Sequence, residues 1–239
     1  SVTVLGEATL AGSGVTAITV GSGVTAIPAS FANGCARLAQ ITYTGTVTAI
    51  GDAAFTGCVK LADAALPSGL VTIGAGAFRG AERLLTVVLP DSVTTIGARA
   101  FEGCSRLVSV TVGAGLADIG GYAFRNCDRL FEVVNHGNTT LTLKAGNASY
   151  GFLTLNATAI RTATAIEKRG DYLWMTEGNV HYLLGYTGNE TELTLPADDN
   201  GVAYEIAPYA FRHADITRVT LGAKTTAIGE RAFADSALV

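Results

Sequence analysis

The chain has 239 residues, of which 49% are hydrophobic, 15% are charged and 29 are glycine, and its net charge is −4. Soluble domains carry roughly 25% charged residues, so the composition argues against a disordered chain, and the negative balance leaves no basic field for nucleic acid. No apolar run approaches the roughly 20 residues of a membrane span, so we expect no direct insertion into a membrane. These properties favour a large, glycine-rich core built mainly from β-strands.

The sequence repeats with a step of 23 residues. Cys35 and Cys58 are separated by that step, as are Cys104 and Cys127, and Ala81 occupies the missing place between the two pairs. Three further sets recur in phase: isoleucines (Ile27, Ile50, Ile73, Ile96, Ile119), phenylalanines that follow alanine (Phe55, Phe78, Phe101, Phe124) and leucines (Leu38, Leu61, Leu84, Leu107, Leu130). Such columns predict a repeat protein in which every coil places the same side chain in the same buried slot.

Within one repeat the predicted elements follow in a constant order. In residues 107–129, Val110 and Val112 alternate with polar residues and predict a short strand. Leu116 and Ile119 predict a second extended piece. The Gly-x-x-Ala-Phe-x-x-Cys segment that follows predicts a single helical or 3₁₀ turn. A coil of 23 residues cannot bury its apolar face alone, so successive coils are expected to stack at the spacing of about 4.8 Å that paired strands adopt.

The columns fail between residues 136 and 189, which predicts an insertion. Residues 136–144 alternate in hydrophobicity and predict the strand of a degenerate coil, and Asn147–Lys168 carries a polar cap and apolar rows that predict a helix. Residues 171–176 and 180–186 flank Glu177-Gly178-Asn179 and predict a β-hairpin. The repeat resumes over residues 190–239, where Asp198-Asp199-Asn200-Gly201 predicts a turn rather than a calcium loop, because the spaced oxygen ligands of such a loop are missing.

One repeat matches a known pattern almost residue for residue. Leu84 to Cys104 has the form Leu-x-x-Val-x-Leu-Pro-x-x-Val-x-x-Ile-Gly-x-x-Ala-Phe-x-x-Cys, which resembles the BspA-like leucine-rich repeat family. The resemblance extends over residues 15–135 and 190–239. It implies a right-handed solenoid of the kind carried by large cell-surface or secreted microbial proteins, where it serves adhesion and protein contacts. No catalytic residues come with this family.

The chemistry available to the chain is limited. It has three histidines and lacks the Gly-x-Ser-x-Gly, His-Glu-x-x-His and Gly-x-x-x-x-Gly-Lys motifs, so we expect no enzyme, no cofactor and no metal site. The cysteines allow two interpretations. Neighbouring coils about 4.8 Å apart would permit disulfides, whereas side chains that point in parallel into the core would remain unpaired thiols.

Three groups of residues are candidates for binding. The first lies at outward positions of the main strands, although exposed strands rich in threonine are also simply good β formers: Gln40, Asp63, Thr86, Ser109, Thr111, Glu132, Glu192 and Arg218. The second is the aromatic hairpin with Trp174 and Tyr182, residue types enriched at binding hot spots, although the hairpin could equally pack against the repeats. The third is a column of cations, each two residues after the cysteine slot: Arg37, Lys60, Arg83, Arg106 and Arg129. This column could form a basic ladder for an anionic glycan or acidic partner, or each cation could cap the turn of its own coil.

The sequence therefore predicts a β-rich α/β solenoid, a right-handed leucine-rich-repeat superhelix forming one domain over residues 1–239, with a helix-plus-hairpin insertion at 136–189. The predicted function is a non-catalytic protein-binding or adhesion module, located extracellularly or at a cell surface, with a protein or glycan ligand. Two alternatives remain, namely a structural spacer that displays another domain and an enzyme with a pocket near the insertion.

Overall fold

A computed structural model of the chain describes residues 4–137, 153, 157, 159–162, 165–188, 190–212 and 214–238. The chain divides into two units, Ser1–Ala163 and Thr164–Val239, here called unit 1 and unit 2. The single domain over residues 1–239 stays a prediction.

Strands are the regular elements of the described residues, and no helix occurs among those residues. The strands are β1 (Ala17–Val20), β2 (Ala26–Ile27), β3 (Gln40–Tyr43), β4 (Ala49–Ile50), β5 (Thr72–Ile73), β6 (Thr86–Val88), β7 (Thr95–Ile96), β8 (Ser109–Val112), β9 (Asp118–Ile119), β10 (Glu132–Asn135), β11 (Ala159–Arg161), β12 (Ile166–Arg169), β13 (Tyr172–Glu177), β14 (Val180–Tyr186), β15 (Glu192–Thr194), β16 (Tyr204–Ile206), β17 (Arg218–Thr220) and β18 (Thr225–Ile228).

Unit 1 is a β-solenoid whose coils pair in parallel. The main strands form a two-stranded sheet, β1-β3, and a four-stranded sheet, β6-β8-β10-β11. The predicted second extended piece of each coil is confirmed, because it forms a separate five-stranded parallel sheet, β2-β4-β5-β7-β9. In that sheet Ile73 pairs with Ile50 on one side and with Ile96 on the other. The 23-residue repeat of the sequence is therefore the register of the sheet.

The predicted phenylalanine column is a stack of rings in the core of unit 1. Phe78 and Phe101 lie 5.3 Å apart between ring centroids at an interplanar angle of 5°, and Phe101 and Phe124 lie 5.1 Å apart at 10°. All three side chains are fully buried. Phe31, which stands one residue early, meets Phe55 edge-on at 6.5 Å instead. Coils in regular phase therefore stack their rings, and the one-residue shift rotates the terminal ring.

The cysteine column consists of four free, buried thiols. The Sγ atom of Cys104 donates to the carbonyl oxygen of Phe78 at 3.4 Å, and that of Cys127 donates to Phe101 at 3.2 Å. Burial raises the pKa of the Cys58 thiol to about 12. Burial, followed by a hydrogen bond with Cys104, also raises the pKa of the Cys127 thiol. Each cysteine of the column thus donates a weak S–H hydrogen bond to a carbonyl of the preceding coil, and Ala81 leaves one coil without this link.

The helical or 3₁₀ turn predicted for the Ala-Phe segment is wrong, and with it the α/β class. Arg99 and Gly103 take left-handed φ angles of 59° and 75°, which a helix does not tolerate. N–H groups between them alternate in direction: Glu102 donates within the coil to Arg99 at 3.1 Å, whereas Phe101 donates to Ala123 of the next coil at 2.7 Å. Because half of the donors serve the neighbouring coil, this segment is a stacked series of turns.

A glycine follows four of the five isoleucines of the column, Ile50, Ile73, Ile96 and Ile119, and lets consecutive coils approach closely. A Cβ atom added at Gly97 would lie 2.4 Å from the amide nitrogen of Ala75, and one added at Gly120 would lie 2.3 Å from that of Ala98. Any side chain there would separate the coils. The Ile-Gly pair of the repeat is therefore required by the stacking of the turn segments.

The predicted helix at 147–168 is also wrong where the structure describes it. Residues 159–161 form β11, which pairs in parallel with β10, and residues 166–169 form β12. Many β-branched threonines and isoleucines in this segment disfavour a helix, and the edge of β10 offers unpaired backbone groups that a strand satisfies. The strand predicted within residues 136–144 lies largely outside the described residues.

The predicted β-hairpin is confirmed in unit 2, where β13 and β14 pair antiparallel around Gly178. β12 extends it on one side, and β14 pairs in parallel with β16, which in turn pairs with β18. Leu183 of β14 stands opposite Ile206, and Ile206 opposite Ile228. The last hairpin strand therefore takes the place of an isoleucine strand of the repeat. β15 and β17 form a separate parallel pair.

Candidate binding surfaces

The predicted strand-face residues of unit 1 differ in accessibility along the row. Gln40 and Asp63 are exposed, and Thr86 and Thr111 are half-buried. Ser109 and Glu132 are buried, at 5% and 0% exposure. The Glu132 carboxylate accepts a hydrogen bond from the Ser109 hydroxyl at 3.0 Å and lies 3.5 Å from Nε of Arg161. The later coils of this row are thus occupied by an internal polar contact, and the earlier coils present their side chains to solvent.

A kink in the strand row lies at Asp63. The Asp63 carboxylate accepts the N–H of Ala65 at 2.8 Å, and Ala65 takes a left-handed φ of 44°. An aspartate that bonds to the backbone two residues ahead competes with strand pairing. As a result Asp63 makes an isolated bridge to Thr86 where a full strand would otherwise join β3 to β6.

Two shallow depressions flank the kink, and we call them the strand-face depressions. One, of about 390 Å³, lies on the β3 side and is lined by Tyr43 and Pro67 among others. The other, of about 360 Å³, lies on the β6 side and is lined by Asp63, Thr86 and Val88. The Val88 side chain is 63% exposed. Burial raises the pKa of Tyr43 above its usual range. The kink therefore interrupts the flat row of strands and leaves a depression on either side of it.

The five cations of the predicted basic ladder do not share one environment. Arg37 is exposed, and Lys60 and Arg83 are half-buried. Arg106 and Arg129 are buried, at 1% and 7% exposure. A ligand would meet the first members of the column but not the last two. A binding role for this column stays a prediction.

A wider concave surface lies on the turn segments of unit 1, and the sequence analysis did not identify it. We call it the turn-face trough. It has a volume of about 700 Å³ and is lined by Asn33, Ala53, Thr56, Ala75, Gly76, Arg79, Ala98, Arg99, Gly121 and Tyr122. Alanine and glycine positions of consecutive coils form its floor. Tyr122, at 40% exposure, closes one end.

Three arginines surround one glutamate at that end of the trough. Nε of Arg79 lies 3.1 Å from Oε2 of Glu102, Nε of Arg99 lies 3.9 Å from the same oxygen, and Nη1 of Arg125 lies 3.9 Å from Oε1. The guanidinium groups of Arg99 and Arg125 stand 5.8 and 5.4 Å from the centre of the Tyr122 ring. The cluster carries a surplus of positive charge beside an aromatic ring. This combination suits an anionic ligand.

A sequence signal for this cluster existed. Arg79, Glu102 and Arg125 occupy one repeat position, and Arg99 and Tyr122 occupy another three residues earlier.

In unit 2, the predicted hairpin contacts are divided between core and surface. Trp174 is 3% exposed and meets Tyr204 edge-on at 5.1 Å, whereas Tyr182 is half-buried. Burial is the main cause that raises the pKa of Tyr172 to about 12. Glu192 and Arg218 are exposed and form an ion pair of 3.3 Å across adjacent coils. Surface pairs of this kind contribute little to stability.

A buried carboxylate connects the turn at 198–201 with the hairpin of unit 2. Asp199, at 2% exposure, contacts Nη1 of Arg169 and lies 2.5 Å from Nδ1 of His181. The Arg169 guanidinium stands 5.6 Å from the centre of the Trp174 ring. The turn at 198–201 thus places a buried charge that two side chains of the hairpin sheet, Arg169 and His181, contact.

Within the described part of the chain, no group of three or more His, Cys, Asp or Glu side chains is arranged to hold a metal ion. No helix among these residues is long and apolar enough to cross a membrane.

Comparison with known proteins matches the chain to the BspA type leucine rich repeat region, in six copies over residues 3–132 and 186–239. A leucine-rich repeat protein of T. pallidum is 31% identical over 57% of this chain and 64% of its own, with a TM-score of 0.51. A leucine-rich repeat protein from Bacteroides ovatus is 21% identical over 92% of this chain and 58% of its own, with a TM-score of 0.47. A leucine rich cell surface protein from Faecalibacterium prausnitzii is 20% identical over the same shares, with a TM-score of 0.40.

The chain spans less than two thirds of the length of each of these solved proteins. No curated protein matches it significantly in sequence. The family match, in contrast, covers most of the chain, includes the coils that form the stacked sheets of unit 1, and resumes at the end of β14 in unit 2. The chain therefore belongs to the BspA type leucine rich repeat family.

Proposed function

We propose that this chain is a non-catalytic, protein-binding module that acts at the outside of a cell through the strand face of unit 1. The observation that carries the proposal is the relief of that face around Asp63, where two depressions of about 390 and 360 Å³ adjoin exposed side chains. Membership of a family of repeat proteins supports a role in protein contacts, because stacked repeats create extended, rigid surfaces.

The exposed residues of this face have the character of a contact surface. Val88, at 63% exposure, is an apolar side chain beside the polar residues Asp63 and Thr86. Gln40 and Thr42 of β3 add exposed hydrogen-bonding groups on the other side of the kink. An apolar centre with a polar rim is the usual arrangement of a protein interface.

The backbone beneath this face is pre-organised for binding. β6 is held by β8 through the Val87–Val110 register, and β3 by β1 through Ile18–Ile41. A partner would therefore order few groups of this chain on binding, which reduces the entropic cost of association. The extracellular location rests on the family resemblance and is part of the proposal.

The test measures binding of the whole chain to a panel of immobilised extracellular matrix and cell-surface proteins by surface plasmon resonance. Val88→Lys places a charge at the centre of the face and is expected to weaken any binding by about tenfold or more. Val71→Lys is the matched control, because Val71 is 37% exposed but does not line either depression. Binding by no member of the panel would favour a structural spacer, and equal effects of the two substitutions would place the contact elsewhere.

A further inference from the structure

We infer that the turn-face trough binds an acidic peptide segment of a protein partner. The inference rests on the proposed function only in that the partner is a protein. It concerns a different surface, made from the turn segments of unit 1, and it specifies the chemistry of the bound segment. Arg79 and Arg99 line the trough, Arg125 adjoins it beside Glu102 and Tyr122, and the three supply the charge, while Tyr122 supplies an aromatic wall.

The charge balance of the cluster favours an external anion. Glu102 is the carboxylate shared by the three arginines, and its side chain is 11% exposed. The guanidinium side chains are exposed by 54%, 52% and 50% for Arg79, Arg99 and Arg125. Within the part of the chain that the structure describes, this one carboxylate is paired with three cations, so the cluster carries a net surplus of two positive charges. Since Glu102 is largely covered and the arginines are not, the surplus charge faces solvent.

The contacts with Glu102 leave donor groups of the arginines available. Two of the three ion pairs are 3.9 Å long, which is beyond hydrogen-bond distance. The Oε2 atom of Glu102 is buried and receives no hydrogen bond of acceptable geometry from the described residues. Glu102 therefore gathers the guanidinium groups by charge attraction without using their N–H groups in the paired geometry that carboxylates prefer.

The floor of the trough suits a peptide backbone. Ala75, Ala98 and Gly121 present only a methyl group or backbone on three consecutive coils of the trough, and Arg99 stands beside them as one of its charged lining residues. Tyr122 stands between two guanidinium groups that approach its ring. An aromatic wall beside a flat floor is the environment in which extended, proline-containing segments bind.

The spacing of the coils specifies the spacing of the acidic groups. Arg79 and Arg125 occupy the same position two coils apart, which corresponds to about 10 Å at the usual distance between paired strands. In a polyproline II segment every third side chain points the same way, after a rise of about 9 Å. A peptide with glutamate at every third residue would therefore present carboxylates to both arginines. Asp52, an exposed residue next to Ala53 of the trough, would repel glutamates that lie away from the arginine cluster.

The test uses the full chain and a fluorescent peptide of repeated Glu-Pro-Pro triplets, with repeated Gln-Pro-Pro as the neutral control peptide. Anisotropy is measured at low salt and at roughly 0.15 M salt, where exposed charges are screened beyond about 8 Å. We expect the acidic peptide to bind at least about tenfold more tightly than the neutral one. Replacing Arg79, Arg99 and Arg125 together by Gln is expected to remove that difference.

A charge-matched control variant replaces Arg37, Lys60 and Lys168 by Gln, which removes the same number of positive charges outside the trough. This variant is expected to bind the acidic peptide within about twofold of the parent chain. Equal loss in both triple variants would show that the peptide responds to overall charge, and this result would overturn the inference.

Glu102→Gln gives a second test that does not depend on losing a function. It removes the internal anion, keeps the shape of the side chain and so raises the net charge of the cluster by one, and the acidic peptide should therefore bind about threefold or more tightly. Weaker binding would overturn the inference. So would trough-dependent binding of dextran sulfate without binding of the peptide, because the site would then serve sulfated glycans. None of these outcomes depends on Val88, so failure here is separate from failure at the strand face.

Discussion

Two adjacent glycines provide a sharp test of the coil stacking. Substituting Gly120 by Ala would place a Cβ atom 2.3 Å from the amide nitrogen of Ala98, whereas ordinary contacts begin near 3.4 Å. The coils would therefore have to separate locally by about 1 Å, and overpacking of this kind costs about 1–3 kcal/mol. The separation also stretches the 2.7 Å hydrogen bond from the Gly120 N–H to the Ile96 carbonyl, which contributes about 0.5–1.5 kcal/mol. We expect a loss of about 2–4 kcal/mol in the free energy of unfolding.

Gly121→Ala is the matched control at the next position. A Cβ atom there would meet nothing within 4 Å, and Gly121 does not have a left-handed φ, so the substitution should be neutral or stabilise by about 0.4–1 kcal/mol. Urea unfolding followed by far-ultraviolet circular dichroism compares the two variants, and hydrogen exchange locates the effect. Early loss of protection at the Asp118 amide, which donates to Thr94 of the preceding coil, is expected for Gly120→Ala alone. Equal stability of the two variants would refute the close approach of the turn segments.

Three further predictions concern the core, the thiols and unit 2. Phe101→Ala removes a ring that is stacked on two others and should lower the free energy of unfolding by about 3–5 kcal/mol. Phe31→Ala removes a ring with a single edge contact and should lower it by less. Urea titrations compare the two variants. Because the pKa of Cys58 is about 12 in the folded chain against an ordinary 9.0, its contribution to stability is complete below pH 9 and is lost as the pH rises toward 12. Native alkylation at pH 8, followed by mass spectrometry, should therefore leave Cys58 unmodified until the chain unfolds, and rapid labelling would contradict this. Asp199→Asn removes a buried carboxylate from two partners and should destabilise unit 2 by about 1–3 kcal/mol, measured by the fluorescence of Trp174. Asp198→Asn is the control for this substitution, because it keeps the acceptor for the Gly201 N–H. It should change the free energy of unfolding of unit 2 by less than about 0.5 kcal/mol.

The repeat could be predicted from the sequence because its signal is redundant. The isoleucine, phenylalanine, leucine and cysteine columns all have the same 23-residue step, and that step is the parallel register of the sheets. The hairpin was also predictable, because Gly178 lies between two runs rich in aromatic and aliphatic residues. In both cases the information is local or strictly periodic.

The helical interpretation of the turn segments and of residues 147–168 failed for a common reason. Helix patterns in a sequence assume that N–H groups bond within their own segment. Here Phe101 bonds to Ala123 of the next coil, and β11 bonds to β10. Hydrogen bonds between coils compete with a short helix and favour the turns and strands, and only the stacked structure contains those partners.

The candidate sites divide along the same line. Outward positions of the strands were predictable from alternation, but the burial of Ser109 and Glu132 was not, because Glu132 pairs with Arg161, which lies within the insertion where the repeat fails. The grouping of Arg79, Arg99 and Arg125 around Glu102 also depends on three coils at once. Nor does the sequence reveal that Asp63 would bond to Ala65 and open the strand row.

What the amino-acid order alone determined is the period of the coils and the identity of the side chains in each core column, because apolar residues at a constant step have a single way to share one interior. What the tertiary structure decided is the direction of the backbone hydrogen bonds and the interaction partners of the polar residues. Those depend on atoms in neighbouring coils, at distances of a few ångströms that the linear chain does not encode until the coils are stacked.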